Sequence, residues 1–142
     1  MEVEKKSVKL LLNREILIFE DLYLYEEASH DEDEDMVLIE TIIDGEKIYF
    51  KSENFFTALQ ALRKELEKKN IQIVCNGAAK NVYPSPMQMS MGSGRKAYKL
   101  SMGQQAKNSE MVDIFDCEEG LDFVNIEEQL KYYTEWLKSV MG

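Results

Sequence analysis

Several residue types that catalytic and metal sites commonly use are scarce in this chain of 142 residues. It contains one histidine, His30, and two cysteines, Cys75 and Cys117. A single histidine excludes most histidine-based acid–base pairs and zinc sites, although carboxylates and cysteines remain as ligands. Two cysteines cannot form the disulfide framework of a small secreted domain, so we expect free thiols in a reducing compartment. A single bridge between the two stays open.

Long apolar runs are also missing. No stretch approaches the roughly 18 apolar residues that a membrane-spanning helix requires. The start of the chain, MEVEKKSVKLLLN, lacks the small-residue cleavage pattern of a secretory signal. We therefore expect a cytoplasmic protein without a membrane partner. The length predicts one domain over residues 1–142.

The charge is acidic overall and unevenly distributed. The formal net charge is -10. Residues 1–70 contribute 18 acidic and 10 basic side chains, residues 71–109 five basic and no acidic ones, and residues 110–142 nine acidic and two basic ones. An acidic body repels nucleic acid, which makes a nucleic-acid partner unlikely, and favours a basic protein partner. The alternative is that the acidity only keeps the protein soluble.

The clearest local pattern is MVLIETIIDGEKIYFKS, in which Asp44-Gly45 separates two β-rich runs. Asp-Gly favours a two-residue type I′ hairpin turn. Such a turn fixes three cross-strand pairs: Ile43 with Glu46, Thr41 with Ile48, and Ile39 with Phe50. This register places four apolar side chains on one face, namely Ile39, Ile43, Ile48 and Phe50. Other β-rich runs predict strands at residues 15–25, 71–75, 95–102 and 111–116, while residues 8–12 fit a strand or a helix.

Two helices are predicted from apolar residues at helical spacing. The first covers residues 53–69, with Ser52 as its N-cap and a buried stripe of Phe55, Leu59, Leu62 and Leu66. The second covers residues 126–140, with Asn125 and Glu128 in a capping box and a stripe of Ile126, Leu130, Tyr133, Leu137 and Val140. The sequence thus predicts an α+β fold, a mainly antiparallel sheet with two helices packed on one face.

Two acidic clusters are the candidate partner-binding residues. They are Asp31, Asp33 and Asp35 beside His30, and Glu118, Glu119 and Asp122. The first cluster resembles the opening of a calcium loop, but Met36 and Ile42 stand where that loop needs glycine and glutamate. We therefore expect a solvated acidic loop and no metal site.

The segment NVYPSPMQMSMGSGRKAYKL, residues 81–100, is an alternative site. It contains both prolines and no acidic residue. Glycine lets backbone N–H groups approach an anion, so a phosphate-binding turn is conceivable, although the spacing is not that of a Walker motif. The ligand-binding candidates are Tyr83, Gly92, Gly94, Arg95, Lys96 and Tyr98. The competing interpretation is a glycine-hinged turn that leads into the next strand.

The sulfur-containing residues predict no chemistry of their own. Met87, Met89 and Met91 would share one face of an extended segment, and thioethers suit Cu(I). Without a nearby histidine, packing or partner contact is the favoured role. Cys75 is favoured as a core residue over a nucleophile, because His30 lies far away in the sequence beside Asp31, Asp33 and Asp35. We predict no metal, no cofactor and no catalytic residue.

Four motifs between Asn76 and Trp136 resemble those of a family of small, mostly uncharacterised bacterial proteins. They are NGAAKNVYPSPM, MGSGRKAYKLSMGQQA, MVDIFD and YYTEWL. The family is expected to have glycine where this chain has Pro86, a difference that stiffens the segment. The resemblance covers less than half of the chain and brings no catalytic residue. It implies an accessory or immunity-type protein encoded near polymorphic toxins.

Two functions follow from these patterns. The first is a non-enzymatic binding protein, an immunity protein that neutralises a basic bacterial toxin domain through its acidic surface. The alternative is a small-ligand or nucleotide/phosphate-binding domain, with or without enzymatic activity, that uses the basic glycine-rich segment 92–99. The oligomeric state stays open.

Overall fold

The computed structural model describes residues 3–27 and 36–141. The α+β class predicted from the sequence is confirmed, with antiparallel strands throughout the described part. The strands are β1 (Glu4–Leu12), β2 (Ile16–Tyr25), β3 (Val37–Ile43), β4 (Glu46–Ser52), β5 (Ile71–Val74), β6 (Val82–Tyr83), β7 (Lys96–Lys99) and β8 (Met111–Asp113). The helices are α1 (Phe55–Lys68), α2 (Pro86–Met91) and α3 (Ile126–Met141). None of these described helices combines the length and apolar character needed to cross a bilayer.

The strands form two sheets where the sequence predicted one. The larger sheet has the order β4-β3-β2-β1-β5 and the smaller one the order β6-β7-β8. The long β1–β2 ribbon joins β3 and β5 at opposite ends, since β3 pairs only with Tyr23–Tyr25 and β5 only with Lys9–Leu12. The sheet is therefore curled, and residues 8–12, which fitted a strand or a helix, belong to a strand.

The hairpin at Asp44-Gly45 is confirmed. Both turn residues have positive φ, 54° and 78°, as a type I′ turn requires. The strand register contains the three predicted pairs, Ile43 with Glu46, Thr41 with Ile48 and Ile39 with Phe50. The predicted apolar face packs onto the core, with Ile39 and Ile43 buried and Ile48 and Phe50 half-buried.

Helix α1 packs on β3, β4 and β5. Its predicted stripe is confirmed, because Phe55, Leu59, Leu62 and Leu66 are all buried. The predicted N-cap, Ser52, is wrong: that residue ends β4, where it pairs with Val37. Asn54 caps the helix instead, and its Oδ1 accepts a hydrogen bond from the Thr57 N–H at 2.8 Å.

Residues 86–91 form a short helix, α2, where the sequence analysis expected an extended loop. Ser85 and Gln88 form a capping box, with the Ser85 Oγ accepting from the Gln88 N–H and the Gln88 Oε1 accepting from the Ser85 N–H. Pro86 occupies the first turn, where its fixed φ suits a helix. The motif Ser-Pro-x-Gln is therefore the sequence signal that indicates this helix.

Because α2 is a helix, its three methionines do not all share one face. Residues two apart on a helix point about 200° away from each other. Met87 and Met91 are exposed, whereas Met89 packs against the core. The expectation that the three sulfurs could converge is wrong for this geometric reason.

Helix α3 confirms Asn125 as its cap, since the Asn125 Oδ1 accepts from the Glu128 N–H at 2.8 Å. The predicted buried stripe is partly wrong. Gln129 and Trp136 are the buried residues of α3, and Leu130 is 49% exposed. Tyr133 is half-buried, with its ring stacked on Tyr83 at 3.9 Å. A stripe chosen by hydrophobicity could not include a glutamine.

One core connects the two sheets. Buried residues of the larger sheet and α1, among them Leu10, Ile39, Phe55 and Ile73, belong to the same cluster as Val82, Ala97 and Ile114 around the smaller sheet. The strands of the smaller sheet are shorter than predicted, since β7 stops at Lys99 and β8 at Asp113. The segment after β8 is therefore free to form a loop.

Candidate functional site

The acidic loop, residues 116–122, is the described acidic surface that the sequence predicted as a partner site. It contains Glu118, Glu119 and Asp122, all exposed or partly exposed. Asp31, Asp33 and Asp35 of the other predicted cluster, with His30, lie outside the described residues. The structure therefore brings only one of the two predicted clusters into view.

The start of the acidic loop is fixed by Asn76. The Asn76 N–H donates to the Asp116 carbonyl at 2.7 Å, and its side-chain amide donates to the Asp113 carbonyl at 3.0 Å. Its side-chain oxygen accepts from the Glu118 N–H at 2.9 Å. The next residue, Gly77, donates its N–H to the Ile114 carbonyl at 2.8 Å. A Cβ on Gly77 would lie 2.6 Å from Leu59 Cδ2, so the Asn-Gly motif has a structural role here.

Basic side chains compensate part of the acidic loop. Lys99 Nζ lies 3.0 Å from Glu118 Oε1 and 3.3 Å from Glu110. Lys6 Nζ lies 2.8 Å from Asp116 Oδ1. Hydrogen bonds to Glu118 and Glu110 raise the pKa of Lys99, and the bond to Asp116 raises that of Lys6. Glu119 and Asp122 make no ion pair within the described residues, so they carry the uncompensated charge of the loop.

Arg95, the central residue of the alternative anion site, is already occupied by carboxylates. Its two terminal nitrogens donate to the two oxygens of Glu4 at 2.9 and 2.8 Å, and its Nε donates to Asp113 at 3.0 Å. Burial opposes the charge, but the hydrogen bonds that Arg95 donates to Glu4 and Asp113 outweigh it and raise the pKa of Arg95. Its guanidinium thus binds two anions from within the protein.

The glycine-rich turn also uses its own N–H groups. Gly92 and Gly94 donate to the Gln88 carbonyl at 3.1 and 2.9 Å, and Arg95 donates to the Gly92 carbonyl at 3.2 Å. The Ser93 carbonyl accepts from the Phe55 N–H at 2.7 Å, which docks the turn on the first turn of α1. These contacts correspond to the hinge interpretation of the segment, since the N–H groups of Gly92, Gly94 and Arg95 are unavailable to a phosphate.

Of the remaining ligand candidates, Lys96 shares the Asp113 carboxylate with Arg95, while the two tyrosines pack elsewhere. Tyr83 and Tyr98 are cross-strand neighbours in the smaller sheet, and Tyr83 packs on Phe56 and Tyr133. Lys96 pairs with Asp113 across β7 and β8, with its Nζ 3.9 Å from the carboxylate. Arg95 instead lines a cleft of about 330 Å³ whose other charged residues are Glu4, Glu26 and Glu27. Three acids make this cleft a poor site for an anion.

A buried polar network that sequence analysis missed joins α1 to α3. Arg63 is 1% exposed and donates to Gln129 Oε1 at 2.5 Å and to the Val124 carbonyl at 2.8 Å. The Gln129 amide donates to the carbonyls of Gly77, Ala79 and Val82 at 2.8 to 2.9 Å. Burial lowers the pKa of Arg63. These bonds hold the segment between β5 and β6, which includes the NGAAKNVY motif.

The two cysteines have different environments. Cys75 is fully buried, and this burial raises the pKa of its thiol to about 12. A thiol protonated at neutral pH is a weak nucleophile, so the geometry agrees with a core role for Cys75. Cys117 is exposed in the acidic loop, and both thiols are free. In residues 3–27 and 36–141, no three histidine, cysteine or carboxylate side chains come together to hold a metal ion.

A shallow cleft of about 270 Å³ links the acidic loop to the β1–β2 ribbon. Its lining includes Phe19 of β2, Lys9 of β1 and Val74 of β5, with Asp116 and Cys117 from the acidic loop. Lys9 pairs with both Phe19 and Val74, so these three side chains lie in one row across the outer face of the sheet. The acidic loop and the exposed end of the ribbon thus share one side of the molecule.

Comparisons with models of protein families and with curated proteins find no match for this chain. The resemblance to immunity-type proteins therefore stays a prediction. The motifs that suggested it have structural roles that are now visible: Asn76-Gly77 anchors the acidic loop, Tyr83 stacks on Tyr133, and Trp136 donates to the Gln104 carbonyl at 2.9 Å.

Proposed function

We propose that the protein is a non-enzymatic binding protein that neutralises a basic partner, an immunity-type protein acting on a basic bacterial toxin domain. The observation that carries the proposal is that the basic side chains of segment 92–99 pair with acidic side chains of the same chain. Arg95, Lys96 and Lys99 all face carboxylates of this same chain. The surplus of acid over base therefore remains for an external partner.

The acidic loop is one part of this surplus among the described residues. Glu119 and Asp122 lie in a loop that Asn76 holds in place, so their carboxylates need little ordering when a partner binds. Exposed charges of this kind act mainly by steering a partner of opposite charge, and salt screens them over about 8 Å at physiological ionic strength. Asp31, Asp33 and Asp35 are proposed as a second steering cluster because of their charge alone.

The contacts around Arg95 do not favour the ligand-binding alternative. The Arg95 guanidinium and the N–H groups of Gly92 and Gly94 are engaged within the chain. A phosphate would have to displace two carboxylates that contact Arg95 from different parts of the sequence, Glu4 and Asp113.

The test uses a toxin candidate encoded beside the gene for this protein. Co-expression should rescue growth, and the purified proteins should bind. Two triple variants should slow association at low salt and have a smaller effect at high salt. One is Glu118→Gln, Glu119→Gln and Asp122→Asn, and the other is Asp31→Asn, Asp33→Asn and Asp35→Asn.

A matched control removes the same charge from helix α3, with Glu127→Gln, Glu128→Gln and Glu135→Gln. We expect this variant to associate at nearly the wild-type rate. Equal slowing by all three triple variants would show that net charge alone matters and would remove the acidic loop as a site. Absence of both binding and rescue with every neighbouring gene product would contradict the proposed function itself.

A further inference from the structure

The N-terminal half of β2 has an open edge. β2 pairs with β1 along its whole length, but β3 pairs only with Tyr23–Tyr25 on the other side. Two residues before Tyr23, the Asp21 carbonyl accepts a hydrogen bond from Thr41 Oγ1 of β3 at 3.0 Å. Beyond this point no strand of the described chain pairs with Ile16–Glu20 on that side. Backbone N–H and C=O groups along such an edge can pair with another strand.

The same edge has exposed apolar side chains. Ile16, Leu17, Ile18 and Phe19 are 36 to 66% exposed, and they form a run of four apolar residues. Proteins usually protect an open edge with lysine, proline or a covering segment, because a hydrophobic edge promotes aggregation. Residues 16–21 contain neither lysine nor proline. Within residues 3–27 and 36–141 no strand covers this side, and a partner strand would cover it.

The charges around the edge select the kind of partner. Glu15 precedes the apolar run, and Glu20 and Asp21 follow it. All three are at least partly exposed, and none forms an ion pair within the described residues. Arg14 in the turn is the nearest cation in sequence. A strand with apolar residues in its centre and basic residues at its ends is complementary to this arrangement.

A second copy of the chain fits the edge less well. Antiparallel pairing of two β2 edges would bring Glu15, Glu20 and Asp21 of both copies into one interface. Like charges placed together across an interface are unfavourable. The formal net charge of -10 on each copy adds to this repulsion.

We infer that the open edge of β2, Ile16–Glu20, is a docking site for an extended basic strand of the partner protein. The strand adds to the curled sheet next to β2, and its backbone hydrogen bonds supply affinity while its basic residues meet Glu15, Glu20 and Asp21. Phe19 shares a cleft with Asp116, so the open edge strand and the acidic loop border the same cleft. The inference rests on the proposed function for the basic character of the partner.

The experiment uses a short capped peptide with valine and threonine in its centre and lysines at both ends. Hydrogen exchange and NMR on the full chain follow the amides of residues 16–20. We expect alternate amides in this range to exchange more slowly with the peptide, because only every second N–H faces the open edge. A control peptide with prolines at two adjacent central positions lacks one donor on each of its edges and should not bind.

Two leucines give a matched pair of variants. Leu17 is 50% exposed on the edge strand, and Leu130 is 49% exposed on α3. Leu17→Lys should weaken peptide binding about tenfold, an effect typical of a central interface residue, and Leu130→Lys should leave it unchanged. Leu17→Glu should keep or strengthen binding, which separates a charge effect from a loss of folding.

Five outcomes would overturn the inference. Four are absence of peptide binding, equal binding of the proline peptide, equal effects of Leu17→Lys and Leu130→Lys, and a dimer of the protein alone that Leu17→Lys dissociates, which would assign the edge to self-pairing. The fifth concerns the toxin. If Leu17→Lys still neutralises the toxin at wild-type strength, strand docking fails while the proposed function stands.

Discussion

The guanidinium of Arg63 donates to the side-chain oxygen of Gln129 at 2.5 Å, and both residues are buried. They come from α1 and α3, which are distant in sequence. Gln129 also donates to three carbonyls of the segment between β5 and β6 and the strand after it. One glutamine therefore links both helices to the chain that positions the acidic loop.

Replacing Gln129 by alanine should strongly destabilise the protein. The variant leaves a buried guanidinium without its strongest acceptor and three carbonyls without their shared donor. We expect the free energy of unfolding to fall by about 2 to 4 kcal/mol. Urea denaturation measures this, with Gln105→Ala, at an exposed loop position, as the control. A loss no larger than that of the control would contradict the structural role of the network.

The elements predicted correctly from sequence are those whose cause is local. Asp44-Gly45 fixes its hairpin because few residue pairs suit two consecutive positive φ angles. The stripe of α1 is apolar throughout, so its period is plain in the sequence. The buried face of α3 depends on Gln129, whose partners lie 47 to 66 residues away, and periodicity cannot show such partners.

The candidate site shows the same division. Counting charges by block predicted an acidic body and a basic segment. It could not show that Arg95 pairs with Glu4, 91 residues away, because that contact forms only when the folded chain brings the turn before β7 to the start of β1. The acidic loop was predictable from composition. The open edge of β2 was not, since an unpaired edge is visible only once the sheet order is known.

The sequence prediction and the structure assign different residues as the N-cap of α1. Asn54 accepts a hydrogen bond from Thr57, whereas Ser52 lies in β4. Asn54→Ala should lower the free energy of unfolding by about 1 kcal/mol. Ser52→Ala should change it by less than about 0.5 kcal/mol. Denaturant unfolding of the two variants decides between the two caps, and the reverse ranking would restore Ser52.

The turn at Gly94 should be more sensitive to alanine than the turn at Gly45. Both glycines have positive φ, 66° and 78°, so alanine costs about 1 kcal/mol at either position from the backbone alone. At Gly45 nothing lies within 4 Å of an added Cβ, but at Gly94 the Asn54 Oδ1, which alanine at position 54 would remove, is 2.7 Å away. We expect Gly94→Ala to cost more in urea denaturation. If the cause is the clash, Asn54→Ala should reduce the extra cost, and strictly additive effects would reject it.

The ion pair of Glu4 with Arg95 should make stability depend on acid pH. The hydrogen bond from Arg95 lowers the pKa of Glu4 in the folded protein. In the unfolded chain the glutamate pKa is about 4.3, so the unfolded chain binds the proton more readily than the folded protein. The stabilisation is therefore present above about pH 4.3 and is lost as the pH falls through the lower pKa of Glu4 in the folded protein. Between about pH 5 and 3, wild-type stability should fall more steeply than that of Glu4→Gln, which has no proton to bind at this position.

The control for this measurement is Glu119→Gln, at an exposed glutamate that does not contact Arg95. Its unfolding free energy should follow the wild-type slope over the same pH range. Parallel curves for wild type and Glu4→Gln would mean that the ion pair of Glu4 with Arg95 does not contribute to the free energy of unfolding in solution. The two terminal nitrogens of the guanidinium would then be open to an external anion while Nε stays paired with Asp113, and phosphate binding beside Phe55 would need a direct test. A steeper wild-type curve keeps Arg95 as an internal partner of Glu4 and leaves the acidic loop as the charged surface available to a partner.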